Sequence, residues 1–523
     1  MSRDLVIIEA PGKLRALYSV FEKIGLHADI CATVGHFLEN PTDLRDVAIE
    51  CRNGEFVETK RQPSRVDSFS FLRDHLKRCA GRILIATDDD AEGRVIASDV
   101  TELIQAMGVR QPVYRMTFGG LDRASIEAAL NALRPVNARE SNPGTARRIV
   151  DRLIAAKLSG FDQGPPVGRV QSALLGLAEQ GIPHTQLHIK MPATDGGKPF
   201  IGTIPVFGAR NPAELLATLG EWTLPPADTA ATVVAAMGMP LNFPDAVLAL
   251  NSELDISIER AGELLQQMYE AGDITYPRTL ARSFTAAGAD AVARLARLKS
   301  VMAFKKTMIP LAAAQAEQPH EAVRILNEAL LQKLDIGKPL RLQATERDAA
   351  LTVIGRHSVV AGIPVQRSVP DVSHAPAWVR EIQWQRDTRR VVLPWVSVEP
   401  AKIRTVDPAA AVMKAMVDHG IGRPSTLVGH ASRFVSRGAI DERLMLTAKG
   451  RHLIDSAPPA LRDVLTSARI EAMLDEGDAE VGDLVRAALL ASVGGDGEHL
   501  DRLIAQLEHV SEDELENYYR PSC

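Results

Sequence analysis

Two short, unbroken apolar runs, LVIIEA (Leu5 to Ala10) and RILIATD (Arg82 to Asp88), each end abruptly in polar residues. That is the pattern of parallel strands buried on both faces. Helical periodicity follows each run. After the second, Val95, Ile96, Val100, Leu103, Ile104 and Met107 recur at mostly three- and four-residue intervals until Gly108 stops the helix. A third strand, PVYRMTF, precedes a helix in DRASIEAALNAL, so residues 1–130 are predicted to form an open α/β sheet domain. Glu9 and the acids from Asp88 onward then sit at the carboxyl ends of strands, where such sheets bind ligands.

Beyond residue 130 the pattern changes several times. Asn142 and Pro143 start a helix running to Phe161, with an apolar stripe of Ile149, Val150, Leu153 and Ile154 and with Arg147, Arg148, Asp151 and Arg152 elsewhere, as on a solvated face. Residues 131–180 and 408–490 are predicted to make a helical domain. Residues 181–245 and 336–407, rich in β-branched residues and Pro, with alternation such as RRVVLPWVSVEP, are predicted as a β-rich piece. They flank a helical insert, 246–335, whose ISIERAGELLQQMYEAGDITYPRT opens with an amphipathic helix ending at Gly272. The last stretch, 491–523, reads as an acidic helical tail.

Composition narrows the class. At 523 residues and 46% apolar content the chain holds several cores, on the order of three to five domains. Its four cysteines are scattered singly, which suggests neither a zinc ribbon nor a disulfide framework and fits a reducing, cytoplasmic setting. No apolar run approaches the roughly 18 residues of a membrane span, and the first residues lack a secretory apolar stretch, so no membrane association is expected. A net charge of −6 gives no overall attraction to nucleic acid; any such binding needs basic residues gathered on one surface.

Candidate chemistry begins at TDDDAEGR, where four acids fall within five positions. Carboxylates aimed at one point repel, so they need a cation or shifted pKa values, whereas a solvated acidic turn needs neither. Asp88, Asp90 and Glu92 form D-x-D-x-E at a strand end, with Gly93 allowing the turn; these hard oxygen ligands suit Mg²⁺. Joined to Glu9 and Lys13 on a neighbouring strand-to-helix turn, the motif resembles the Toprim domain of topoisomerases, bacterial primases and some nucleases.

Four further motifs follow in order: GRVQS (Gly168 to Ser172), ITYPRT (Ile274 to Thr279), HEAVR (His320 to Arg324) and GIGRPST (Gly420 to Thr426). With the Toprim acids they resemble the type IA DNA topoisomerases from Leu5 to about Glu480. The resemblance implies a multidomain toroid: a Toprim α/β domain, a helical domain lining a single-strand groove, a β-rich arch, and a helical domain bearing the catalytic tyrosine. It implies that Tyr276 attacks a phosphodiester, leaving a 5′-phosphotyrosyl link and a free 3′-hydroxyl. The covalent link conserves the bond energy, so no ATP is needed, and the chain contains no G-x-x-x-x-G-K-[ST] loop. Arg278 would favour the phenolate, whose ordinary pKa is about 10. Lys13 would stabilise the transition state, and Glu9 would protonate the departing 3′-oxygen. Asp88, Asp90 and Glu92, beside Glu9, would hold Mg²⁺. His320 joins the catalytic set, while Arg147, Asp151, Arg169, Gln171, Arg423 and Thr426 match positions that contact DNA or support the site. The acids and Tyr276 would meet between domains whose separation opens a gate for strand passage.

The sequence departs from the family in places. Leu280 stands where an acid is common after Y-x-R, and the family's DREGE is here DAEGR, so that Ala91 replaces a base and Arg94 an acid. No cysteine pair or basic stretch follows residue 480. The expectation is a monomer acting on the single-stranded part of under-wound DNA, distributive or helped by an accessory DNA-binding partner. YPRT leans toward decatenation and VIIEAPGK toward relaxation. The rivals are a catalytically degenerate single-stranded-DNA scaffold, and a Toprim nuclease or primase.

Overall fold

The computed structural model of the chain describes residues 3–159, 168–218, 223–227, 233–313, 320–389, 393–395, 402–475 and 479–507. The expected helix end at Phe161, much of RRVVLPWVSVEP and the tail beyond Leu507 lie outside the described residues. The chain divides into two compact units. One comprises Met1–Gly176, His419–Gly422 and Arg451–Cys523; the other comprises Leu177–Asp418 and Arg423–Gly450. The expected pairing of 131–180 with 408–490 is therefore split. Helices Pro408–Asp418 and Leu427–Ser436 pack on Phe243–Leu254 and Ile258–Glu270 in the second unit.

The first unit carries a four-stranded sheet in the order Ala28–Ala32, Asp4–Ile8, Ile83–Ile85, Val113–Arg115, parallel at every pairing. Its two central strands are the continuous apolar runs, so both faces demand cover. Leu5, Ile7, Ile83 and Ile85 pack with Ile96, Val100 and Ile104 of helix Ala91–Ala106. A second core joins helix Asn142–Leu153 to the C-terminal helices Val464–Leu474 and Val481–Ser492 through Ile149, Val150, Leu153, Ile470, Val485 and Leu489. Helix Asn142–Leu153 continues into a π-helical turn, Ile154–Leu158, a local widening often found near functional sites.

In the second unit, strands Phe200–Phe207, Pro183–Met191 and Ile403–Thr405 form one antiparallel sheet, and Val233–Ala236, Pro364–Ser368 and Arg386–Arg389 another. The predicted β-rich span 336–407 needs correction: it opens with helix Glu346–Val360, capped by Thr345. Residues 349–356 and Ser358 and Val359 of that helix are all buried. A helix covered on every side has no polar stripe, so its β-branched residues resemble a strand in sequence. Helix Ile258–Glu270 behaves as predicted and closes at Gly272, where φ is +76°. The amides of Gly272 and Asp273 bond back to the carbonyls of Tyr269 and Met268. Among the described residues no helix is long and apolar enough to cross a membrane.

Candidate active site

In the first unit the acids sit where the sheet delivers them. Strand Asp4–Ile8 releases Glu9 into a 3-10 turn, Pro11–Lys13, whose last residue is fully buried. The Glu9 carbonyl accepts from the amide of Val34 at 2.9 Å, in a turn where Val34 and Gly35 both have positive φ. The neighbouring strand ends at Ile85 and delivers buried Asp88 against Lys13, whose ammonium donates to the Asp88 carboxylate. Lys13 and Asp88 are 75 residues apart, yet the parallel pairing of their strands brings the two turns together.

The remaining acids divide by task. Asp90 caps helix Ala91–Ala106, its Oδ1 accepting from the Gly93 amide at 2.8 Å. Glu92 lies half-buried in the first turn. Asp89 pairs with Arg94, Nε to Oδ1 3.2 Å, so the arginine that departs from the family pattern neutralises the acid of the run that falls outside D-x-D-x-E. Such a cluster is tolerated because Lys13 and Arg94 stand among the carboxylates.

One further cation lies beneath. Arg115, only 2% exposed, ends the edge strand and donates from Nη1 to the carbonyls of Ile85 (3.0 Å) and Thr87 (2.8 Å) and from Nη2 to that of Asp88 (2.9 Å). A single buried guanidinium thus fixes the backbone that presents the acids, and burial pushes its pKa down. Sequence reasoning missed it, although an arginine inside the apolar strand PVYRMTF was a signal. The helix that follows the acids is tied down farther along, where Asp99 holds Arg61 at 2.8 and 2.5 Å; Glu58 in turn holds Arg148 of helix Asn142–Leu153 at 2.8 and 2.5 Å.

The arginines of helix Asn142–Leu153 do not form a solvated face. Arg148 is occupied by Glu58, and Arg152 donates to the carbonyls of Val47 and Asp46, each at 2.5 Å. Arg147 bonds Glu471 and Asp475. Arg169 is held by Asp151 at 2.9 Å and Glu471 at 2.6 Å. Gln171 is buried on the same helix as Arg169.

In the second unit Tyr276 is 1% exposed. Its ring meets Tyr269 edge-on, centroids 5.3 Å apart, and lies 4.4 Å from His320 at a 35° tilt. ITYPRT and HEAVR are held together by the backbone bridge Ile274 to Ile325 and by Thr275, whose buried hydroxyl donates to the Ala322 carbonyl and accepts from the Arg324 amide, both at 3.1 Å. Glu321 in turn accepts from Arg324 Nε (2.9 Å) and from the amide of Thr285, the cap of the next helix. The spacing of the two motifs is therefore explained by a clamp that fixes Tyr276 against His320. Thr275→Val keeps the volume but removes both bonds. It is expected to lower stability by about 1–3 kcal/mol, measured by urea denaturation.

Arg278 follows half-buried, and Leu280 is 55% exposed, so the apolar replacement at that position adds nothing to the core. Arg423 and Thr426 form the turn that starts helix Leu427–Ser436, the Thr426 hydroxyl lying 3.3 Å from the Arg423 carbonyl.

Comparison with known proteins agrees with this architecture. Residues 4–119 match the Toprim domain, a metal-binding domain. DNA topoisomerase 1 of Campylobacter jejuni is 31% identical over 183 residues, which cover 34% of this chain and 25% of that protein. DNA topoisomerase 1 of Escherichia coli is 23% identical over 567 positions, covering 91% of this chain and 64% of that protein. The chain thus spans less than two thirds of the length of these relatives. Full-length topoisomerase I from Thermotoga maritima superposes with a TM-score of 0.63 at 18% identity, covering 95% of this chain and 90% of that structure.

Proposed function

We propose that this chain, a Toprim-domain protein with the fold of topoisomerase I, is a type IA DNA topoisomerase. It cuts one strand of under-wound DNA, passes another through the break and reseals it without ATP. The observation that carries the reading is the clamp that seats a buried tyrosine, Tyr276, against His320, in a chain that also carries the Glu9, Lys13 and Asp88 constellation.

In this reading the Tyr276 phenol oxygen attacks phosphorus, and the bond to the 3′-oxygen breaks. The proton lost by the phenol passes to solvent as the new phosphotyrosyl ester forms, with Arg278 favouring the phenolate and His320 orienting the ring. Glu9 gives a proton to the departing 3′-oxygen and takes it back on resealing. Lys13 stabilises the negative charge that gathers on the phosphoryl oxygens.

The acids fit Mg²⁺ rather than a closed protein cage. Among the described residues no group of three His, Cys, Asp or Glu side chains is placed to hold a metal by itself. Mg²⁺ commonly takes only one or two carboxylates and leaves its other positions to water and phosphate. One or two of Asp88, Asp90 and Glu92 would ligate it, with Glu9 beside them, and the ion would supply charge for aligning the broken end during resealing.

The test is a labelled single-stranded oligonucleotide mixed with the full chain and quenched with denaturant. A covalent protein–DNA adduct is expected, and it should vanish in Tyr276→Phe. No adduct from the intact chain, or one that survives the substitution, overturns the reading.

A further inference from the structure

Helix Val464–Leu474 contributes a carboxylate to Arg147 and Arg169, two arginines at positions that the family resemblance matches to DNA contact or support of the site. Glu471, 7% exposed, accepts from Arg147 through Oε2 (Nη2 2.9 Å, Nε 3.2 Å) and from Arg169 through Oε1 (Nη1 2.6 Å). Asp475, 54% exposed, adds a contact to Arg147 at 3.2 Å, and Asp151 holds Arg169 Nε at 2.9 Å. Two guanidinium groups thus face three carboxylates, and the cluster formally carries one net negative charge. Among the described residues of this cluster, a phosphate approaching it meets no uncompensated cation.

Resting on that DNA reading, we infer that Glu471 sets the affinity of the single-strand groove: it is the internal counter-anion of Arg147 and Arg169, and an incoming phosphate must replace it. Binding at this point exchanges one ion pair for another. It therefore releases few salt ions, because the guanidinium groups are already neutralised before DNA arrives. Glu471 acts through the two arginines and is a positioning residue. Asp475, at the exposed rim, is the partner most easily displaced, since ion pairs open to solvent are worth little. Arg169 keeps Asp151 when Glu471 is neutralised, so the arginine stays placed.

The test measures binding of the full chain to a fluorescent oligothymidine by anisotropy across a salt series. Each guanidinium made available should steepen the dependence of log K on log salt by about 0.7. Glu471→Gln, which preserves shape and removes one counter-anion, should therefore bind more tightly at low salt, with a slope steeper by up to about 0.7. Asp475→Asn should steepen it by up to about 0.7. A purely structural ion network would change the melting temperature and leave the slope alone. Slopes equal to that of the unsubstituted chain in both variants overturn the inference while the DNA reading stands. Failure of the unsubstituted chain to bind overturns both. If Glu471→Gln does not fold, Asp475→Asn decides alone, because its side chain is mostly in solvent.

Discussion

Gly93→Ala is expected to destabilise the first unit by at least about 3 kcal/mol, the upper end of the usual overpacking range, and to abolish DNA cleavage. A Cβ on Gly93 would lie 2.0 Å from the Asp88 carbonyl oxygen and within 2.9 Å of the Asp88 amide nitrogen. These are backbone atoms, so no rotamer change relieves the clash. Moving Asp88 would strain its carbonyl's bond to Arg115, and displacing Gly93 would strain the 2.6 Å bond from Thr87 Oγ1 to the Gly93 carbonyl. The same shift takes the Asp88 carboxylate from Lys13. Urea denaturation supplies the measurement, with Gly429→Ala as its control. That glycine is within helix Leu427–Ser436 with nothing within 4 Å of a new Cβ. Its replacement should be neutral or stabilise by up to about 1 kcal/mol. Equal stability for Gly93→Ala and the unsubstituted chain would contradict the close-approach argument.

Much of this site is legible in sequence because its pieces are local. A continuous apolar run ending in D-x-D-x-E-G specifies both the buried strand and the turn behind it. Tyr276 follows the closure of an amphipathic helix at Gly272, which periodicity also reveals. Contacts between distant segments are not legible. Glu471 lies 324 positions from Arg147 and looks like any helical surface acid until tertiary packing buries it. Arg147 and Arg148 of helix Asn142–Leu153 look solvated for the same reason, since their partners Glu471 and Glu58 lie far along the chain. Helix Glu346–Val360 was misread for a physical cause. Amphipathic periodicity exists only when one face meets water, and from Ala349 onward only His357 and Val360 of this helix are even partly exposed. The departures from the family pattern become interpretable only in three dimensions, where Arg94 partners Asp89 and Leu280 faces outward.

Lys13→Met is expected to lose stability and activity together. It leaves the Asp88 carboxylate, 7% exposed, without the ammonium it now faces. Breaking a buried pair from one side costs about 3–5 kcal/mol, because the remaining charge stays desolvated. The same lysine is proposed to stabilise the phosphoryl transition state, so adduct formation should fall at least about 100-fold, the lower end of losses for removing one such donor. Lys13→Met together with Asp88→Asn separates the two roles. Removing both charges should recover most of the lost stability, since the uncompensated carboxylate is gone, yet should not restore cleavage. Stability is read by urea denaturation and cleavage by denaturant-trapped adduct. A double variant that regains cleavage along with stability would show that Lys13 serves only to neutralise Asp88; one that regains stability alone, while the Asp88→Asn single variant still forms adduct, assigns the ammonium to the reacting phosphate.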